Sequence, residues 1–335
     1  MTDTILLTGV TGFIARHCAV KLLDAGYAVR GTLRDPAKGD EARRAIAAAL
    51  QNPENINRLS FAKADLTRDD GWEQAATGVA AIVHTASPFP LTQPKDPEEL
   101  IRPAVDGTLR ILRAAKAAGV QRVVMTSSIV AIFTNAHRVH DESDWLDPST
   151  PGTRPYAVSK LKAERAAWDF AEREGIALTV INPGFILGPA LGRDFGSSIS
   201  VMRRFLRGKD PMVPDLGFPV VDVRDVAEMH LRALQRPETA GKRYICAGES
   251  LTFAQMTRAL KDTFPNRKIP TRIAPHFVMR ILGLFDSEIR SILPSLGQIE
   301  RVNNARAHSE MAMNFIPGRD AVIASGRYLV DNALV

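Results

Sequence analysis

Apolar and polar residues follow two rhythms along the first half of the chain. Short apolar runs recur between stretches in which apolar residues return every three or four positions. The first rhythm predicts buried strands and the second predicts helices. Strands are expected at 5–7, 27–33, 59–64, 80–84, 120–128 and 176–184. One helix is expected at 14–25, with Ala19, Leu22 and Leu23 at helical spacing and Gly26 just past its end. An alanine-rich helix follows at 41–50. A long helix carrying Leu109, Leu112 and Ala115 joins the fourth strand to the fifth. Single helices between nearly continuous apolar strands argue for a parallel sheet covered on both faces. The expected class is therefore α/β, with a doubly wound parallel sheet. Ligands of such sheets bind beyond the carboxyl ends of the strands.

After about residue 185 the rhythm breaks. Loops rich in Gly and Pro appear ("GFILGPALG", "GKDPMVPDLGFP"), and 220–234 reads as one more strand and helix. Residues 1–185 with about 220–245 are expected to form the sheet domain. About 186–219 and 246–335 are expected to form a smaller substrate-binding part. The chain has 335 residues, 45% of them hydrophobic, enough for a sizeable core. No long uncharged apolar window predicts a membrane span, and the N-terminus does not read as a secretory signal. Cys18 and Cys246 stand far apart and outside any metal-ligand spacing, so a reduced, cytoplasmic setting is expected and no metal site. The net charge of +6 is interspersed, and aromatics are only 6% of the chain, which argues against a nucleic-acid groove.

Chemistry begins with "TGVTGFIA", residues 8–15, between the first strand and the first helix. Gly9 permits a tight turn there. Gly12 lets a pyrophosphate approach the helix N-terminus, where free N–H groups and the helix dipole favour an anion. Ala15 allows close helix–strand packing. The second strand then selects the dinucleotide. An NAD site usually closes this strand with an acid. Here it runs "VRGTLRDPAK", with Arg34 just past Leu33 and Lys38 four residues on. Such cations suit a 2′-phosphate, although Asp35 follows directly. NADP(H) is favoured over NAD(H).

"RPYAVSK" places Tyr156 and Lys160 one helical turn apart on the same face. A free tyrosine titrates near about 10, and a neighbouring ammonium favours its phenolate. Ser127 and Ser128 end the fifth strand, where a hydroxyl can hold a substrate carbonyl against Tyr156.

These pieces, with "DL" (65–66), "HTASP" (84–88), "NPGFILGP" (182–189) and "VDVRDVA" (221–227), run in an order that resembles the extended short-chain dehydrogenases/reductases. The likeness is to the dihydroflavonol reductase-like branch, and it extends from residue 5 to about 234. It implies a Rossmann fold and a catalytic set of Ser128, Tyr156 and Lys160. Ser128 would polarise a carbonyl and Tyr156 would act as acid/base. Lys160 would lower the Tyr156 pKa and bind ribose. It also implies a cofactor track: Gly9, Thr11, Gly12, Phe13 and Ile14 at the pyrophosphate, Asp65 and Leu66 at the adenine, Thr85, Ala86 and Ser87 along the middle, and Pro183, Gly184 and Ile186 beside the nicotinamide. The expected partner is a small carbonyl or alcohol, and the expected assembly is a monomer or homodimer.

Departures narrow the substrate. Flavonoid reductases carry Asn where Phe133 stands, and cinnamoyl-CoA reductases carry N-W-Y-C-Y-G-K where this chain has Arg154–Lys160. Phe89, Pro90, Phe133, Phe185 and Phe218 are candidates for an apolar pocket. His84 reads as structural, and His137 and His140 as loop residues. A nucleotide-sugar epimerase or dehydratase, or a hydroxysteroid-type dehydrogenase, is the alternative on the same scaffold. A non-catalytic NADP(H) sensor fits less well, because such proteins typically lose the Tyr-x-x-x-Lys pair.

Overall fold

The computed structural model describes residues 2–87, 96–134, 138–150 and 152–335. Its first half runs β1 (Thr4–Thr8), α1 (Phe13–Asp24), β2 (Ala28–Leu33), α2 (Gly39–Ala47), β3 (Leu59–Lys63), α3 (Trp72–Ala76), β4 (Ala81–His84), α4 (Glu98–Ala117), β5 (Arg122–Thr126), β6 (Val139–His140), α5 (Pro155–Glu174) and β7 (Ala177–Pro183). The second half runs β8 (Phe185–Leu187), α6 (Ser197–Arg207), β9 (Leu216–Asp222), α7 (Val223–Gln235), β10 (Lys242–Cys246), β11 (Ser250–Thr252), α8 (Phe253–Thr263), α9 (His276–Leu282), α10 (Ser287–Ile292), β12 (Gln298–Ile299), β13 (Arg301–Val302), α11 (Ala305–Met311) and α12 (Gly318–Asp331).

Seven strands form one parallel sheet in the order β10-β7-β5-β4-β1-β2-β3. Alternation along each strand feeds two cores at once. Ile5, Leu7, Val83, Val124 and Ile181 face α1 and α7. Leu6, Ile82, Val123, Leu178 and Val180 face α4 and α5. Each such fully buried aliphatic side chain contributes roughly 1.5–3 kcal/mol. Both faces of the sheet are thus covered, which explains why its strands read as apolar runs rather than alternations.

The six strands expected in the first half are all present, with shifts of one or two residues at their ends. The seventh, β10, was not foreseen: its "KRYIC" carries two cations and is too short to stand out. The strand expected near 220 also exists, but β9 lies outside the large sheet. It pairs with β8, β11 and β12 in a second, mixed sheet. A third apolar cluster gathers α6, α8 and α12 around this sheet, through Ile199, Met202, Phe205, Met256, Leu260, Val322 and Leu329.

The strand order reverses between β1 and β4. Ligands of doubly wound sheets bind in the crevice at such a switch point. The loops after β1 and β4 border this crevice, and the end of β5 lies next to it.

Candidate active site

The β1–α1 turn is shaped for close approach. Gly9 has φ +69°, a conformation that favours glycine, and a Cβ there would sit 2.9 Å from the Ala86 Cβ. Gly12, at the N-cap of α1, is exposed and has no side chain in front of the first free N–H groups of the helix. Thr11 and Ile14 are half-buried, whereas Phe13 is buried and packs its ring edge-on to His17. A turn with glycine at both ends, set at a helix N-terminus, fits the pyrophosphate of a dinucleotide.

Thr8 holds the turn against β4. Its Oγ1 accepts the backbone N–H of Thr85 (3.1 Å) and of Ala86 (3.0 Å). With its lone pairs taken, the hydroxyl donates to His84 Nδ1 at 2.8 Å. Burial, reinforced by the Lys160 charge, lowers the His84 pKa to about 3, so this histidine is neutral. Sequence reasoning missed Thr8, because a hydroxyl in the last position of a strand has no distinctive spacing.

At the far end of the crevice Arg34 is exposed just past β2. Asp65 is a turn former, accepting from the N–H and Oγ1 of Thr67, both at 2.9 Å. Burial works against its ionisation, but the Thr67 hydrogen bonds and the charges of Arg34 and Arg68 hold its pKa below the usual value. Leu66 packs against Gly107 on α4. Lys38 is engaged in a 3.1 Å ion pair with Asp194, and Asp35 caps its own turn by accepting from Ala37 N–H. The acid that complicated the charge reading therefore points back into its own backbone.

On α5, Pro155 occupies the first turn, where its missing N–H costs nothing, and Gly175 closes the C-terminus at φ +71°. Tyr156 and Lys160 share one face, with Lys160 Nζ 5.8 Å from the Tyr156 ring centroid. The Tyr156 hydroxyl is hydrogen-bonded to Ser128, and Lys160 Nζ donates to Ser87 Oγ at 3.0 Å. Ser128, just past β5, also accepts from Val130 N–H at 3.4 Å. The fold thus brings Ser87, Ser128, Tyr156 and Lys160 together from β4, β5 and α5.

Electrostatics depart from the sequence expectation for Tyr156. Burial pushes its phenol up to about 12, and the Ser128 hydrogen bond offsets only part of this. The Lys160 ammonium gives a hydrogen bond to Ser87, and the net shift of the phenol is upward. Burial also lowers Lys160 itself to about 8, against the opposing charge of Glu164.

Pro183 ends β7 in register with Cys246, and Ile186 lies in β8. Gly184 has a packing reason to be glycine: a Cβ would meet the Pro219 carbonyl oxygen at 2.3 Å. Phe185 and Phe218 stack at 5.7 Å and lean on Phe253 inside the third apolar cluster. Phe133 packs edge-on to His140, whose Nε2 accepts from Thr134 N–H at 3.2 Å. Phe89, Pro90 and His137 lie outside the described residues. Cys18 and Cys246 are free and buried. Among the described residues, no helix is long and apolar enough to cross a membrane.

Comparison with known proteins supplies the family. Residues 5–247 match the model of the "NAD dependent epimerase/dehydratase family". Cinnamoyl-CoA reductase 1 of Petunia hybrida is 36% identical over 276 residues, covering 81% of this chain and 80% of the relative. Dihydroflavonol 4-reductase of Zea mays is 33% identical over 280 residues, covering 80% and 76%. The crystal structure of yeast methylglyoxal/isovaleraldehyde reductase Gre2 complexed with NADPH superposes with a TM-score of 0.81. It is 27% identical and covers 99% of this chain and 100% of that one. The chain belongs to the NAD dependent epimerase/dehydratase family, as an extended short-chain dehydrogenase/reductase of the dihydroflavonol reductase-like branch.

Proposed function

We propose that this NADP-dependent oxidoreductase reduces an aldehyde or ketone to the alcohol, reversibly, with Ser128, Tyr156 and Lys160 as its catalytic residues. One observation carries the reading: the Ser128 and Tyr156 hydroxyls share a hydrogen bond at the open end of β5, beside Lys160. A carbonyl oxygen entering there meets two hydroxyl donors.

NADPH, when bound, supplies the hydride. The chain supplies alignment and the proton. Ser128 donates to the carbonyl oxygen and polarises it. Tyr156 passes its phenolic proton to that oxygen as negative charge develops. A phenol raised to about 12 is fully protonated at neutral pH, which is the form a reductase needs. The Lys160 ammonium stands close enough to stabilise the phenolate left behind, and its Ser87 bond points it along the cofactor track.

The residues fit NADP(H) in the following way. Gly9, Thr11, Gly12, Phe13 and Ile14 would hold the pyrophosphate. Arg34, with Lys38 once it leaves Asp194, would hold the 2′-phosphate. Asp65 and Leu66 would meet the adenine, and Thr85, Ala86 and Ser87 the middle of the cofactor. Tyr156 and Lys160 would bind the nicotinamide ribose, and Pro183, Gly184 and Ile186 would flank the nicotinamide.

The test is a panel of carbonyls assayed with NADPH and with NADH, on wild type and Tyr156→Phe. The variant is expected to bind NADPH normally and to lose about 100-fold or more in kcat. Near-normal turnover by Tyr156→Phe overturns the acid/base assignment.

A further inference from the structure

Behind Ser128 and Lys160 lies a charged cluster whose members take no direct part in the proton or hydride transfer. Glu164 stands one turn beyond Lys160 on α5 and is fully buried. Its Oε2 accepts Ser127 Oγ–H at 2.5 Å and Asn182 Nδ2–H at 2.9 Å. Its Oε1 accepts Arg243 Nε–H at 2.6 Å and, more weakly, Trp168 Nε1–H at 3.4 Å. Arg243 is buried too. Its guanidinium lies 3.6 Å from the centre of the Trp145 ring and donates to the carbonyls of Glu142 and Asp144.

Trp168 belongs to α5 itself; the other donors come from the ends of β5 and β7 and from the second residue of β10, three neighbouring strands, and one carboxylate ties them to the helix that carries Tyr156. Two of the ties flank Ser128. Ser127 precedes it in the chain, and Asn182 Nδ2 donates to the Ser128 carbonyl at 3.2 Å as well as to Glu164. A buried ion pair is weak evidence for stability, since desolvation offsets most of the attraction. Two hydrophobic residues of similar volume would fill the space as well. What they could not do is fix the backbone on both sides of Ser128 relative to Tyr156.

We propose that Glu164 is a positioning residue of this site, locking Ser128 against Tyr156 through Ser127 and Asn182. The inference rests on the reductase reading above. It adds a second effect of the same carboxylate: its charge opposes the loss of the Lys160 proton. The groups facing Lys160 are Tyr156 and Glu164 on its own helix and His84 and Ser87 from the end of β4. Of these, Glu164 carries the negative charge.

The experiment compares wild type, Glu164→Gln and Ser127→Ala, each checked for folding by circular dichroism. NADPH Kd is read by nicotinamide fluorescence. The kinetic probe is whichever of methylglyoxal, isovaleraldehyde, benzaldehyde and acetophenone the wild type reduces fastest. If wild type oxidises NADPH with none of the four, the reductase reading fails rather than this one. With an active wild type, Glu164→Gln is expected to lower kcat about 100-fold, as misplacement by about 1 Å can do. The carbonyl KM and NADPH Kd should stay within about threefold, since the lost interaction acts on turnover rather than on binding. The alkaline limb of kcat should also move to lower pH. Ser127→Ala leaves the Arg243 pair intact and should lower kcat about tenfold, in line with one lost buried hydrogen bond. A folded Glu164→Gln with kcat within about threefold of wild type overturns the proposal, as does a loss confined to melting temperature and NADPH affinity. If Glu164→Gln does not fold, Ser127→Ala decides alone, and a wild-type kcat in it overturns the proposal.

Discussion

Lys160 Nζ donates to Ser87 Oγ at 3.0 Å, a bond that ties the helix of Tyr156 to the end of β4. The arrangement opposes stability. Burial lowers the Lys160 pKa to about 8, from the value of about 10.4 expected in the unfolded chain. A cationic group with a depressed folded pKa penalises folding while it is charged, and the penalty fades as pH rises from about 8 toward 10.4.

Lys160→Met is therefore expected to lose most of its activity and gain stability. At pH 7 the gain should be about 1–3 kcal/mol, the scale of a pKa shift of this kind. Thermal scans at pH 7 and pH 10 check it: the variant should melt higher than wild type at pH 7, and the gap should narrow at pH 10. A lower melting temperature at pH 7 contradicts the assignment.

Thr8→Val keeps the shape of the strand end but strips the acceptor from Thr85 and Ala86 N–H and the partner from His84. A loss of about 2–4 kcal/mol is expected, from donors left without a partner. Urea unfolding measures it, and fluorescence titration should show NADPH binding weakened in parallel.

Arg34→Ser should lower kcat/KM for NADPH about 10- to 100-fold, the value of a charge-assisted phosphate contact, while NADH is little affected. Asp194→Ala should act in the opposite direction, because it releases Lys38 from its 3.1 Å ion pair. Parallel kinetics with both cofactors test the pair of variants together.

The three buried histidines His17, His84 and His230 should leave no mark on the pH profile. Burial lowers His84 to about 3 and His17 and His230 to about 4, so all three are neutral through the physiological range. The profile of kcat/KM for reduction should be flat between about pH 5.5 and 7.5. An inflection near 6.5 counts against the neutral state of these three histidines.

Much of this was legible in the chain. The apolar runs marked six of the seven parallel strands because strands buried on both faces need nothing but apolar side chains. Gly9 was legible because a tight turn at a helix start requires a residue free to adopt φ +69°. Tyr156 and Lys160 were legible because helical spacing fixes which side chains share a face. Glu164 left a trace as well: in "LKAERAAWDF" it is an acid on a face otherwise made of Leu161, Ala167 and Phe170, and such a residue must find partners when buried.

The sequence by itself determined the class of fold, the glycine turn between β1 and α1 and the Tyr-x-x-x-Lys face, since each depends on periodicity or on local backbone sterics. Only the tertiary structure decided that β9 leaves the large sheet and β10 completes it, because pairing is chosen by packing partners far along the chain. Only it decided the partners of the charges: Lys160 with Ser87, Lys38 with Asp194, and Glu164 with Arg243, 79 residues away. The pKa of a group depends on its burial and on what stands within a few ångströms. That is why Tyr156, expected to be lowered by its lysine, is raised by its surroundings instead.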